Sequence, residues 1–333
     1  MIPLGPVLAA LLVAPVPWCD RERGALDLHV DLPFQVHYRE RPVDLREPGG
    51  DVSAAHMRRG CVRTLVLSLF VPGERPELDE LLDVLATAER IVQVNRWSIL
   101  GEPGEVAVVF SIEGSEPLVG ELDAIPRLVA RGVRLFGLVH ARHNALAESS
   151  SDPHPHAPGL STEGRAFVEA VYDAGALVDV SHASDATFDD VAAIAKARKR
   201  PLVATHSNAR ALSDHRRNLT DAQLRTIAET HAVVGVAFHA PFLRRAWMDA
   251  NAKDFARHVA HMIEVMGPSH VAIGSDLDGL ITPASGLESH AGLWAIAMHV
   301  RAAGIDGAAL AGLMGGNALR VLESPTRRAS RRR

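Results

Sequence analysis

"ALVDVSHASDATFDDVAAIAKARKRPLVATHS", residues 176–207, holds two short β-rich runs, ALVDVSH (176–182) and PLVATHS (201–207), each with a histidine at or near its end. Between them, DATFDDVAAIAKARK spaces its apolar residues as a helix does and begins just after Ser184. Strand, helix and strand in this order make a βαβ unit with parallel strands. The pattern recurs along the chain. Further β-rich runs are LDLHVDL (26–32), VRTLVLSLF (62–70), EVAVVFSIEG (105–114), VRLFGLVH (133–140), VVGVAFH (233–239) and HVAIGSDLDG (270–279), which makes eight. Helix-patterned stretches such as PELDELLDVLATAERIVQVNRW, STEGRAFVEAVYDAG, LTDAQLRTIAETH and DFARHVAHMIEVMG lie between them. Eight alternations over roughly 250 residues predict an α/β fold of the (β/α)8 TIM-barrel type, with no linker to divide it.

In such barrels the chemistry sits at the C-terminal ends of the strands. Here strand one carries His29 and Asp31, strand three ends in Glu113, strands four, five and six end in His140, His182 and His206, and strand eight carries Asp276 and Asp278. One strand-end histidine is ordinary. A core has no use for so many ionisable groups on one face, because each is costly to bury unpaired, and the set points to a metal centre. Strand alternation predicts that His29 and Asp31 face one way and Val30 the other. Taken alone the pair also fits a buried His-Asp hydrogen bond; the other strand ends supply the missing ligands. Imidazole with carboxylate suits zinc and related ions. His29, Asp31 and Glu113 can hold one ion and Glu113, His182 and His206 a second, with the carboxylate bridging; such sites lower the pKa of a bound water to about 7. Asp276 stands where it can accept that water's proton. Arg216 and Arg217, ten and eleven residues after His206, suit either a carboxylate fork or an exposed loop.

The 333 residues are 47% hydrophobic and 23% charged, with a net charge of −5, which is ordinary globular composition and argues against a nucleic-acid partner. Of the 17 histidines, many in loops and on helices, including His258, His261 and His299, are expected to be solvated or lightly packed. Cys19 and Cys61 are too few for a disulfide framework and are expected as free thiols. Residues 1–24 are expected as a retained apolar segment, since no Lys or Arg precedes Arg21 and no A-x-A cleavage site follows; this favours a cytoplasmic location over export. The barrel is expected over 25–323 and a basic, disordered tail over 324–333. No integral membrane span is expected.

The motifs DLHVDLP, IEG, DVSHAS, THSNAR followed by RRN, GSDLDG and GGNALRVL, in this order from about Leu26 to Leu322, resemble the membrane (renal) dipeptidase family of amidohydrolase-like metallopeptidases. The resemblance implies a binuclear zinc dipeptidase: His29 and Asp31 on one Zn2+, His182 and His206 on the other, Glu113 bridging, and Asp276 transferring the proton. His140 would contact substrate and polarise the scissile carbonyl, and Arg217 would grip the terminal carboxylate, which restricts substrates to dipeptides. Tolerance of D-residues at the C-terminal position and a homodimer are implied as well. Val30, Ser115, Thr205 and Leu277 depart from the family pattern without removing a ligand, and His239 closes strand seven where an Asn or aromatic is expected.

Other metal hydrolases on this scaffold, such as lactonases, deaminases and phosphotriesterase-like enzymes, often bridge their ions with a lysine at strand four. The first lysine here is Lys196, followed only by Lys199 and Lys253. A catalytically inactive barrel that binds metal or peptide is a further alternative; Asp276 argues against it, because a binding module needs no proton shuttle.

Overall fold

The eight β-rich runs form eight parallel strands: β1 Ala25–Val30, β2 Val62–Phe70, β3 Ala107–Glu113, β4 Val133–Gly137, β5 Leu177–Asp179, β6 Leu202–Val203, β7 Val234–Val236 and β8 Val271–Ile273. The computed structural model describes residues 18–19, 24–47, 49–154 and 156–324. Most of the expected N-terminal segment and residues 325–333 of the expected tail lie outside them. Neighbours pair in the order β6-β5-β4-β3-β2-β1-β8-β7. A bridge from Ala204, just after β6, to Val234 in β7 brings the two edges together, so the sheet is a nearly closed barrel. Its longest unbroken register runs from Thr64 opposite Ala107 to Phe70 opposite Glu113.

Every residue of β1 is buried, as expected for a parallel strand covered on both faces. The alternating helices start where the sequence signals them. Ser161, Ser184 and Thr220 accept backbone N–H groups of their helices' first turns, and Thr220 and Gln223 complete a capping box. Each such cap contributes about 1 kcal/mol.

Except for β2, which matches its run, the strands are shorter than the β-rich runs. β1 stops at Val30, and Asp31 is the N-cap residue of the helix Leu32–Tyr38, whose first turn contains Pro33. Asp31 therefore owes its position to a strand-to-helix turn and not to strand alternation. A regularity emerges at the other ends: His140, His182, His206, His239 and Asp276 each lie three residues beyond the last residue of their strand. Only His29 and Glu113 sit within strands.

The GGNALRVL motif works at the opposite end of the barrel. Asn317 Nδ2 donates to the carbonyls of Pro268 and Val271 at 2.8 Å each, fastening the last helix to the start of β8. Gly315 packs where a Cβ would stand 3.0 Å from Gly24 O and Leu26 N.

Two expectations are corrected. Cys19 and Cys61 form a disulfide, with Cα atoms 5.8 Å apart. Because β1 pairs with β2, the chain leading into β1 runs beside Cys61, which immediately precedes β2. This proximity is tertiary and leaves no mark in a count of two cysteines. His258 is buried, not solvated: its Nδ1 accepts the Ala209 N–H at 3.1 Å and its Nε2–H donates to Leu243 O at 3.0 Å. Among the described residues no helix is long and apolar enough to cross a membrane.

Candidate metal centre and substrate cleft

Glu113, the last residue of β3, stands at the middle of the strand ends. Its Oε1 lies 3.0 Å from His182 Nε2, 3.5 Å from His29 Nε2 and 3.6 Å from His206 Nε2, with His140 Nε2 at 4.0 Å. His29 Nε2 is 3.6 Å from Asp31 Oδ2, and the Nε2 atoms of His182 and His206 are 2.9 Å apart. Donors around one tetrahedral ion with bonds of about 2.0 to 2.2 Å lie about 3.3 Å from one another, so these spacings are those of a ligand shell. Three overlapping donor groups result: His29, Glu113 and His206; Glu113, His140 and His182; His29, Asp31 and Asp276. All seven residues singled out as ligands or catalytic groups thus converge, although β1, β3, β4, β5, β6 and β8 deliver them separately.

Two of these residues occupy the left-handed backbone region, His182 at φ 70° and Asp276 at φ 66°. Such conformations cost about 1 to 3 kcal/mol each and persist where the surroundings over-determine them. They turn the chain sharply after β5 and β8, aiming both side chains back over the barrel mouth.

The charge balance calls for cations. Burial and the Glu113 carboxylate push Asp31 up from its ordinary value, while burial and Asp31 push Asp276 well up. Burial also works against a charged Glu113, but His29 and His140 overcome it and hold this carboxylate well below its usual range. His29 is raised because Glu113 and Asp31 outweigh its burial; His182 and His206 are lowered by burial, with Arg217 acting on both and His29 adding to the effect on His206. Two buried carboxylates, Asp31 and Glu113, crowd together with the half-buried Asp276, and the buried His29 Nε2 has no hydrogen-bond partner among the described residues. A lone pair aimed among carboxylates fits a metal ligand better than it fits a packed core.

The centre opens into a cleft of about 280 Å3. Phe34 and Phe70 form one wall, with Phe70 packed on the His140 ring at 4.4 Å, and Phe242, Leu280 and Ile281 contribute apolar surface with His239. His239 Nδ1 accepts the Thr282 N–H, and burial and His215 depress its pKa to about 4, so it is a neutral cleft-lining residue. Arg217 is only 5% exposed and is not among the cleft-lining residues. Its guanidinium lies 5.5 Å from the centre of the Phe242 ring and donates to His206 O at 3.4 Å. Burial lowers its pKa to about 10, and the charges of Asp276 and Glu113 act against that lowering. Arg216 shows no such burial.

Asp278 turns away from the cleft. It forms an ion pair with Arg41 and accepts the Asp51 N–H at 2.8 Å, tying down the loop after the first helix. Sequence reading also missed Asp27 beneath the centre. Asp27 accepts from Ser275 N at 2.8 Å, Ser275 Oγ at 2.5 Å and His29 N at 3.2 Å, and pairs with His290 Nε2 at 2.8 Å. It fixes the backbone of two ligand-bearing segments. An Asp two residues before His29 in an apolar run was the available signal.

The fold and centre have counterparts among known proteins. The model of the membrane dipeptidase family, peptidase family M19, matches residues 21–332. The chain belongs to this family. Dipeptidase aclJ of Aspergillus oryzae is 29% identical over 314 residues, covering 87% of this chain and 74% of that protein. A metallopeptidase from Rhodobacter sphaeroides, solved with a phosphinate mimic of the dipeptide L-Ala-D-Ala, superposes with a TM-score of 0.80 at 26% identity, covering 90% of this chain and 98% of that one. A second family M19 metallopeptidase, dipeptidase AC, gives the same TM-score and coverage at 28% identity. The protein is a metal-dependent dipeptidase on a TIM barrel.

Proposed function

We propose that the centre holds two zinc ions, with His29 and Asp31 on one, His182 and His206 on the other, and Glu113 between them. We further propose that it cleaves dipeptides carrying a free C-terminal carboxylate and accepts a D-residue at that position. The observation that carries this reading is the position of Glu113 Oε1, within 3.6 Å of imidazole nitrogens carried by β1 and by the turns after β5 and β6. The D-Ala-containing ligand of the Rhodobacter sphaeroides relative supports the stereochemical part.

Bound ions would polarise the scissile carbonyl and make a neighbouring water acidic. Asp276, within 4.8 Å of the Asp31 and His29 ligand atoms, takes the proton of that water and passes it to the leaving amine. His140 donates to the carbonyl oxygen as negative charge develops there. Arg217 draws the terminal carboxylate toward the Phe242 side of the cleft, which sets the distance from carboxylate to scissile bond and excludes longer chains.

The test is metal analysis together with a substrate panel of L,L and L,D dipeptides, a tripeptide, a lactone and a phosphotriester. Two zinc ions per chain, with chelator-sensitive release of amino acids from both dipeptide classes alone, supports the reading; cleavage of the tripeptide at a similar rate overturns the carboxylate clamp. We also propose a homodimer, read by analytical ultracentrifugation. Disulfides persist in oxidising surroundings, so the Cys19–Cys61 bridge favours an exported protein over the expected cytoplasmic one.

A further inference from the structure

Thr205 lies behind the centre. It is fully buried, and its carbonyl lies between two strands where Gly235 and Gly274 leave room: a Cβ at either glycine would stand 1.9 or 1.8 Å from Thr205 O. Its hydroxyl has four neighbours. Asp179 Oδ2 is at 2.5 Å, His206 Nδ1 at 2.9 Å, His29 Nδ1 at 3.2 Å and Ser181 Oγ at 3.3 Å. Asp179 is itself buried and held in place, its Oδ1 accepting the backbone N–H groups of Ser181 at 2.9 Å and Thr205 at 3.0 Å.

A hydroxyl offers one proton and two lone pairs, and a carboxylate only accepts. The closest contact therefore fixes the proton on the line to Asp179. The two lone pairs then receive the Nδ1–H groups of His206 and His29, while Ser181 Oγ, the farthest neighbour, accepts the His206 N–H at 3.1 Å. We infer that Thr205, oriented by Asp179, is one positioning residue shared by both metal subsites, which fixes His29 and His206 as Nδ1–H tautomers with both Nε2 lone pairs turned to the ions. The inference rests on the ligand assignment proposed above. Its physical content is a coupling: two ligands 177 residues apart in sequence depend on one hydroxyl.

Hydrogen-bond partners of metal-binding histidines typically govern about 10- to 100-fold in metal affinity. Thr205→Val, nearly the same shape without the hydroxyl, is expected to weaken zinc at both subsites in parallel by that factor in chelator competition, and Thr205→Ser to restore it. Asp179→Asn is expected to act differently. Its amide would donate to the Thr205 oxygen, the hydroxyl proton would turn to one imidazole, and only that histidine would lose its ligating tautomer. Nitrogen-15 NMR of histidine side chains in metal-free protein, recorded at a pH above the raised value of His29 so that both rings are neutral, reads the tautomers directly, without reliance on zinc. Wild type with both rings protonated at Nδ1, and Thr205→Val with both rings changed, supports the inference. Wild type with either Nε2 protonated, or Thr205→Val that binds both ions as tightly as wild type or loses only one, overturns it. Wild type that binds fewer than two ions while keeping both tautomers overturns the zinc reading instead.

Discussion

Gly279 lies directly over the Asp31 carboxylate: a Cβ at position 279 would stand 2.5 Å from Asp31 Oδ2 and 2.7 Å from Asp276 Oδ1. The last residue of the GSDLDG motif is thus a glycine because the backbone passes within contact of a proposed ligand and of the proposed proton carrier. Gly279→Ala must displace one carboxylate or the other. The expected result is zinc affinity reduced about 10- to 100-fold together with a fall in kcat, while the thermal midpoint of the metal-free protein changes little, since the residue is in the cleft lining and not in the core. An alanine variant with normal metal content and normal kcat would show that both carboxylates have room to move.

Arg217 presents a different balance. Its charge is buried and faces Asp276 and Glu113, so part of its role is to offset the acidity of the centre. Arg217→Met keeps length and apolar contact with Phe242 but removes the donors. Losing charge-assisted hydrogen bonds worth about 1.5 to 3 kcal/mol should raise KM for dipeptides roughly 10- to 100-fold, with zinc content retained. Steady-state kinetics beside metal analysis separates the outcomes: unchanged KM removes Arg217 from substrate binding, and lost zinc makes it a structural counter-charge.

The His258 pKa is depressed to about 4, chiefly by burial, against an ordinary value of 6.5. The unfolded chain therefore binds more protons than the folded one between these values, and stability present above pH 6.5 is lost as pH falls toward 4. Linkage puts the loss at about 2 kcal/mol by pH 5. Protonation would also set an N–H at Nδ1 against the Ala209 N–H it now accepts. Urea unfolding at pH 7 and pH 5 should show a smaller decline for His258→Gln than for wild type. Equal declines would mean that other groups set the acid limit.

His29 and Glu113 were legible because a charged or imidazole side chain in an apolar run has no packing reason to be there, and the eightfold alternation then told which end of the barrel to examine. The turn geometry was less legible. Apolar runs continue past the last ladder hydrogen bond, so the sequence shows no break between strand and loop, and the three-residue offset of five site residues appears only once pairing is known. For Asp31 a signal did exist: Asp followed two residues later by Pro is a helix start. Thr205 and the Asp27–His290 pair were hidden for another reason. Their partners are far apart in the chain, and a hydroxyl or carboxylate of the right type is too common to stand out.

The Cys19–Cys61 disulfide joins the chain before β1 to the residue just ahead of β2. It lies at the strand starts, whereas Glu113 and the cleft lie at the strand ends; the nine residues of β2 separate the two by about 30 Å. The bridge should therefore matter for stability and not for chemistry. Closing a loop with a sequence separation of 42 residues stabilises by about 2 to 4 kcal/mol in the chain-entropy account. The double variant Cys19→Ser with Cys61→Ser should lose about that much in urea unfolding, match reduced wild type, and keep kcat/KM. Alkylation and intact mass of protein taken from its own cells, without added oxidant, reads the compartment: no labelled thiol fits an exported protein, and two labelled thiols would place it in reducing surroundings with the bridge open.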